Sequence, residues 1–238
     1  MPDFLLALVT GAAHRLGRAF ALALARQGYA LLIHYHHSVD EAQRTKAEIE
    51  AIGARAFLGQ ADLTDPAQIE SLFSTLDSLH YPLRLLVNSA AIMPRRAAAL
   101  SSADWDATFA LNLRAPFLCA QQAARRMDSG LIVNVTDVGA ARAWSGFPAY
   151  AVSKAALESL TRVLASAYAP KIRVNAIAPG LVWPSENVAP EEWARLVDRL
   201  PLRRPASVDE IAAALEFLLK NEYITGQTIV VDGGYSLL

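Results

Sequence analysis

Phe4-Leu-Leu-Ala-Leu-Val9-Thr10-Gly11-Ala-Ala-His-Arg15-Leu-Gly17 begins as an uninterrupted apolar run, turns on glycine and passes into an apolar-periodic stretch that continues to Gln27. The run has strand length and ends at a turn signal, so it reads as a buried strand followed by a helix. A strand that enters a helix through glycines aims backbone N–H groups and a helix N-terminus at one point. Glycine is needed there if a ligand and the main chain are to approach closely, and a phosphate suits such a point. Any tight strand-to-helix turn also favours glycine, so the rest of the chain must decide between a ligand site and a simple turn.

The rest of the chain repeats the alternation. Tyr29 to Tyr35, Arg55 to Ala61, Leu83 to Val87, Leu131 to Thr136, Ile172 to Ala176 and Thr228 to Val231 read as further strands, with helical stretches between them. Buried-looking strands alternating with helices of ten or more residues indicate a parallel sheet covered on both faces. The expected fold is therefore α/β: a single doubly wound Rossmann domain over residues 1–238, with a parallel seven-stranded sheet and helices on both faces. Ser102 to Met127 reads as one long helix carrying Asn112 in an apolar segment, with Pro116 as a kink point. Leu181 to Leu202, with Trp183, Trp193 and several prolines, reads as an irregular stretch and the expected substrate loop.

Composition narrows the function. The chain has 238 residues, 53% of them hydrophobic, which is enough for one compact domain and too apolar for disorder. A formal charge of −1 leaves no basic excess for nucleic acid. Cys119 is the one cysteine, so a disulfide framework and a thiolate metal site are both excluded, and a reducing compartment fits. The first apolar run is too short to span a bilayer, so no membrane partner and a cytoplasmic location are expected.

Chemistry gathers in four places. Tyr150-Ala-Val-Ser-Lys154 puts Tyr and Lys on one helix face, where an ammonium would favour the phenolate; a surface Tyr and Lys share the same spacing. Asp137, at the end of a strand, is placed to reach the same site. The second strand ends in His34-Tyr-His36-His37-Ser38 without the carboxylate that binds ribose hydroxyls about 20 residues beyond a dinucleotide turn. Arg15, His36, His37 and Ser38 instead offer a cation and hydrogen-bond donors suited to an extra phosphate, although Ser38-Val-Asp-Glu41 also reads as a capping box. His34 fits an ordinary strand side chain. Asn112 requires partners, either a backbone contact or a water relay.

Taken together, Thr10-Gly11 with Leu16-Gly17, Asp62, Asn88-Ser-Ala-Ala91, Asn112, Tyr150 with Lys154, and Pro179-Gly180 resemble the short-chain dehydrogenase/reductase family over nearly the whole chain. Arg15 at the family's middle glycine, Asp137 at its usual serine, and the stretches TGAAHRLGR and HYHHS are similar to the pteridine reductase subgroup. The resemblance implies an NADPH-dependent reductase that acts on a dihydropterin or dihydrofolate-like ring and assembles as a homotetramer. It implies Asp137, Tyr150, Lys154 and Asn112 as catalytic, Lys154 also holding the nicotinamide ribose. Gly11, Arg15, Leu16, Gly17, His36, His37, Ser38, Asp62, Asn88, Ala90, Tyr150, Lys154, Pro179 and Gly180 would bind NADP(H), and Met93, Asp137 and Trp183 the substrate, with no metal. Two departures stand out: Met93 replaces an aromatic that stacks on the pterin, and Pro184 replaces a threonine after the Pro-Gly turn. A carboxyl at 137 suits a heterocycle with N–H donors or ring nitrogens better than a plain ketone. The alternatives are a general carbonyl or 3-oxoacyl reductase and a catalytically silent NADP-binding sensor.

Overall fold

The computed structural model describes residues 4–94, 100–142, 144–184 and 188–238. One sheet of seven parallel strands runs in the order β3-β2-β1-β4-β5-β6-β7. The strands are β1 (Leu6–Val9), β2 (Ala30–Tyr35), β3 (Ala56–Gln60), β4 (Leu83–Asn88), β5 (Gly130–Val135), β6 (Ile172–Pro179) and β7 (Thr228–Val231). Between them lie α1 (Arg15–Arg26), α2 (Val39–Ala51), α3 (Pro66–Ser78), α4 (Ser102–Phe109), α5 (Ala115–Ala124), α6 (Pro148–Tyr168), α7 (Pro190–Arg199) and α8 (Val208–Lys220).

The strands are apolar on both sides because both faces are covered. Ala7, Val9, Leu31, Ile33 and Val133 pack with Phe20 and Leu24 of α1, Ile49 of α2 and Leu215 of α8. Leu6, Leu8, Leu32 and Ile132 pack with Phe73 of α3, Cys119 of α5 and Leu164 of α6 on the other face. This alternation with period two fixes the register, since a slip of one residue would exchange the faces. The chain reverses its winding between β1 and β4, which are hydrogen-bonded neighbours. The crevice of a doubly wound sheet opens at that switch point, beyond the C-terminal ends of the strands.

Three expectations need correction. The Ser102–Met127 stretch is not one regular α-helix: a π-helical turn, Ala110–Arg114, lies between α4 and α5 with Pro116 just after it, and α5 ends at Ala124. The capping box at Ser38 does not form: its side chain makes no cap hydrogen bond, because the residue enters α2 at φ −84° and ψ 64°, outside the extended conformation usual for a cap. Within Leu181–Leu202 there is a helix, α7, with Pro190 in its first turn, Glu191 and Glu192 beside it and Arg199 in the last turn. Those are ordinary start and stop signals, since proline breaks helices only in their interiors. Residues 185–187 of that stretch lie outside the described residues.

Candidate active site

At the end of β1 the site is made of main chain. Gly11 has φ +64°, and a Cβ there would lie 2.9 Å from Ala90 Cα, so a side chain is excluded by strain and by space. At Gly17 a Cβ would collide with the Gly11 carbonyl. Helix α1 starts at Arg15 with no capping side chain on His14 and no acidic residue in its first turn. Its leading amides thus have no side-chain cap, the arrangement an anion site at a helix N-terminus uses. Leu16 is partly buried against the core and serves the turn by packing. Thr10 Oγ1 accepts from the amides of Ser89 (2.9 Å) and Ala90 (3.1 Å), which draws the end of β4 against the turn.

His34 is more than a strand side chain. It is 2% exposed, its Nδ1 accepts from the Gly11 amide at 3.0 Å, and its Nε2 lies 3.0 Å from the Ala61 carbonyl. Only the neutral tautomer with hydrogen on Nε2 satisfies both contacts. Burial drives its pKa down to about 4, in keeping with that form. Nothing in a strand pattern separates such a residue from a surface histidine; the pairing register of β2 with β3 does.

Farther along the edge, the His36 and His37 rings lie 3.5 Å apart at their centroids, and the Ser38 side chain is not engaged in capping. Asp62 accepts from the Thr64 amide and hydroxyl, both at 2.8 Å, and these bonds hold its carboxyl below the usual range. Arg15 is not drawn into this group as expected. Held at φ +53°, it places its guanidinium 5.7 Å from the ring centroid of Trp183, beyond β6. Strand β6 lies on the opposite side of β1 from β2, so the contact turns the cation toward the other half of the crevice.

The third group joins the end of β5 to α6. Tyr150 donates its hydroxyl to Asp137 Oδ2 at 2.9 Å, and Gly139 N–H donates to Oδ1 at 2.7 Å. Lys154 Nζ donates to the Val135 carbonyl at 2.7 Å and lies 5.7 Å from the Tyr150 ring centroid. Burial raises the Asp137 pKa against the pull of the Gly139 amide, Tyr150 and Lys154. Burial also lowers Lys154 to about 8. The expected depression of Tyr150 is absent: burial, then the charge of Asp137 and its hydrogen bond, push the phenol well above 10. A carboxylate that accepts the phenol hydrogen stabilises the neutral phenol, which outweighs an ammonium whose own charge is disfavoured by burial. Tyr150 and Asp137 thus form one coupled proton-holding pair.

Asn112 resolves as a backbone contact. Its Oδ1 accepts from Ile92 N–H and its Nδ2 donates to Ile92 O, both at 2.9 Å, while Nδ2 also reaches Ser153 Oγ at 3.1 Å. The π turn that carries it aims this amide at the segment leading to Met93. Asn88 is likewise committed inside the fold: it donates to Asn134 Oδ1 at 2.9 Å, and Asn134 donates to Thr161 Oγ1 at 2.9 Å. Sequence reading missed Asn134 and Thr161; a polar residue within each apolar run was the available signal.

Pro179 ends β6, and Gly180 N–H donates to the Val231 carbonyl at 2.9 Å. A Cβ on Gly180 would meet Asp232 Cα at 2.7 Å, so glycine lets the two segments close up. Met93 and Trp183 are exposed and available to a ligand. The described residues hold no cluster of His, Cys, Asp or Glu suited to a metal ion, and no helix among them is long and apolar enough to cross a membrane.

A family model described as enoyl-(acyl carrier protein) reductase matches residues 11–236. A 1-cyclohexenylcarbonyl-CoA reductase of Streptomyces collinus is 38% identical over 97% of this chain and 86% of its own length. A 3-oxoacyl-[acyl-carrier-protein] reductase, FabG, of Staphylococcus aureus is 34% identical over 96% of each chain. Among solved structures, FolM alternative dihydrofolate reductase 1 from Brucella suis, in complex with NADP, superimposes with a TM-score of 0.93 at 38% identity, covering 100% of this chain and 97% of that one. With the glycine turn, the Tyr150–Lys154 pair and these matches in agreement, the chain belongs to the short-chain dehydrogenase/reductase family.

Proposed function

We propose that the protein is an NADPH-dependent reductase of a pteridine ring, a dihydropterin or dihydrofolate-like substrate. The observation that carries this reading is the buried Asp137 carboxyl hydrogen-bonded to Tyr150 at 2.9 Å. A serine in that place would donate to a carbonyl oxygen, whereas an ionised carboxylate only accepts and would repel it. A heterocycle offers N–H groups to an ionised Asp137 and ring nitrogens to a protonated one. The likeness to FolM supports the same choice, while the enoyl and 3-oxoacyl reductases keep a general carbonyl reductase as the second reading.

The residues present fit NADP(H). The Gly11–Gly17 turn and the uncapped amides of α1 would hold the pyrophosphate. His36, His37 and Ser38 would meet the 2′-phosphate, Asp62 the adenine, Ala90 and the Pro179–Gly180 turn the remainder. The Lys154 ammonium, with one hydrogen on Val135 O, would give its others to the nicotinamide ribose. When bound, the cofactor supplies a hydride. Tyr150 or a protonated Asp137 then gives a proton to the nitrogen or oxygen that has received the electron pair. Asn112 acts by fixing Ile92 and thereby the substrate wall at Met93. Intact proton donors argue against a silent sensor.

Asp137→Ser tests the substrate. Activity on a dihydropterin should fall by roughly 10²-fold, the usual loss of a general-acid step, while activity on a simple ketone should hold or rise. The comparison is kcat/KM for both substrates in both proteins. A wild type that prefers the ketone, with the substitution affecting both substrates alike, would leave the carbonyl reductase as the reading to keep.

For assembly, Phe109, Leu113, Phe117, Leu160 and Val163 line an apolar groove between α4–α5 and α6 that suits a second copy of this chain. Sedimentation tests the homotetramer: a monomer at micromolar concentration would exclude it.

A further inference from the structure

Val138, Leu200 and Tyr235 are each less than 10% exposed, yet they belong to neither of the two large cores; they form a small cluster with Trp144 and Leu181. The members come from four separate segments of the chain. Val138 and Trp144 flank the turn after Asp137, Leu181 follows the Pro179–Gly180 turn, Leu200 follows α7, and Tyr235 lies in the turn after β7. The Asp232–Leu238 turn is the common partner. Its own shape is fixed by Asp232, which accepts from Gly234 N–H at 2.9 Å and Ser236 N–H at 2.7 Å.

Toward Asp137 the contacts are polar and aromatic. Arg142 donates to the Tyr235 carbonyl at 2.6 Å and the Leu238 carbonyl at 3.1 Å, with its guanidinium 4.4 Å from the Tyr235 ring centroid. Trp144 lies 6.2 Å from the Tyr235 ring and 6.4 Å from that of Phe147, which directly precedes α6. The same indole presses on Gly139, where a Cβ would lie 2.8 Å from it and 3.0 Å from Asp137 Oδ1. Gly139 is the residue whose amide holds that oxygen. Toward the substrate loop, Gly234 abuts Pro201, with a Cβ position 2.6 Å from the proline ring, and Leu202 N–H donates to Gly233 O at 3.2 Å. Toward the cofactor side, Val231 O accepts from Gly180 N–H at 2.9 Å.

We propose that the Asp232–Leu238 turn is a brace that holds the Asp137 carboxyl and the end of the substrate loop in the reacting geometry, with Tyr235 and Arg142 as positioning residues. The brace works through packing on Gly139 and Trp144, and neither Tyr235 nor Arg142 touches the reacting atoms. It rests on the proposed place of Asp137 in the reaction.

The test compares the full chain with Tyr235→Ala, Tyr235→Phe and Arg142→Gln, each with NADPH and the best substrate found for wild type. For Tyr235→Ala, kcat/KM should fall by roughly 10²-fold, the scale of an ångström's misplacement at a reacting centre, with NADPH affinity measured by fluorescence unchanged. The pH profile should move too. Burial is the main reason the Asp137 pKa is raised, and Tyr150, Lys154 and Glu158 are the charged or titratable groups coupled to it. Water admitted by a loosened turn would bring the Asp137 limb to lower pH. Tyr235→Phe keeps the ring and should restore both rate and profile. If Tyr235→Ala does not fold, Arg142→Gln carries the same two readouts. Native kcat/KM and an unmoved pH limb in the Ala or Gln variant, or a loss that Phe fails to rescue, would overturn the brace. Asp137→Ser separates the two ideas: if it is silent, the role of Asp137 fails, and if it is damaging while Tyr235→Ala is silent, only the brace fails.

Discussion

At the end of β1 the crevice is built from backbone, namely Gly11, Gly17 and the free amides of α1, with His34 and Thr10 fixing the turn from behind. At the end of β5 it is built from side chains taken out of water: Asp137, Tyr150 and Lys154, each with its pKa displaced by burial. The first half presents fixed dipoles that do not titrate, so it can hold an anion over a wide pH range. The second half presents three groups whose charges depend on one another, so it can move a proton and is sensitive to small shifts of geometry. Binding and chemistry are thus assigned to different kinds of matter on one sheet edge.

The sharpest way to break that division is Tyr150→Phe. Turnover should fall by about 10²–10⁴, the contribution of a positioned proton donor, while NADPH affinity stays nearly constant. Lys154→Ala should damage both, since it serves ribose and proton alike. Full activity in the Phe protein would move the acid to Asp137.

A smaller effect concerns binding beyond the end of β2, where His36, His37 and Ser38 would meet the 2′-phosphate. NADPH should bind more than about tenfold more tightly than NADH, because one charge-assisted contact is worth about 1.5–3 kcal/mol and tenfold needs about 1.4. With Arg15 placed against Trp183, Arg15→Ala should leave that ratio unchanged in fluorescence titrations of both cofactors. A ratio that collapsed in the variant would put the guanidinium on the 2′-phosphate after all.

The smallest effect is in stability. Folded Lys154 gives up its proton near pH 8, whereas in the unfolded chain it holds it to about 10.5, so unfolding takes up a proton between those values. Stability should therefore rise with pH through that window and, for this group, be lost as pH falls through 8. Tyr150 acts in the opposite sense only above 10. Denaturant titrations of wild type and Lys154→Met should show the rise and its flattening; identical slopes would mean that Lys154 stays charged in the fold.

The sequence by itself determined the alternation of strand and helix, the parallel sheet, the glycine turn, and the Tyr150–Lys154 pair on one helix face. Each is written in local periodicity or in a backbone need for glycine, and such signals require no knowledge of what lies across the molecule. It also marked Asp137 as chemically out of place for a carbonyl reductase. Helix α7 was legible too, since Pro190, Glu191, Glu192 and Arg199 are local signals, but the surrounding prolines drew attention to a loop. Tertiary structure alone decided which groups meet. His34 acquires its two partners from the segments just after β1 and β3, Asn112 from the segment after β4, Arg15 from the segment after β6, and the Asp137 turn from a segment nearly a hundred residues away through Arg142. The reversal of Tyr150, from an expected phenolate to a strongly held phenol, has the same cause. A pKa depends on burial and on the nearest charge, and both are set by contacts between distant segments rather than by spacing along the chain.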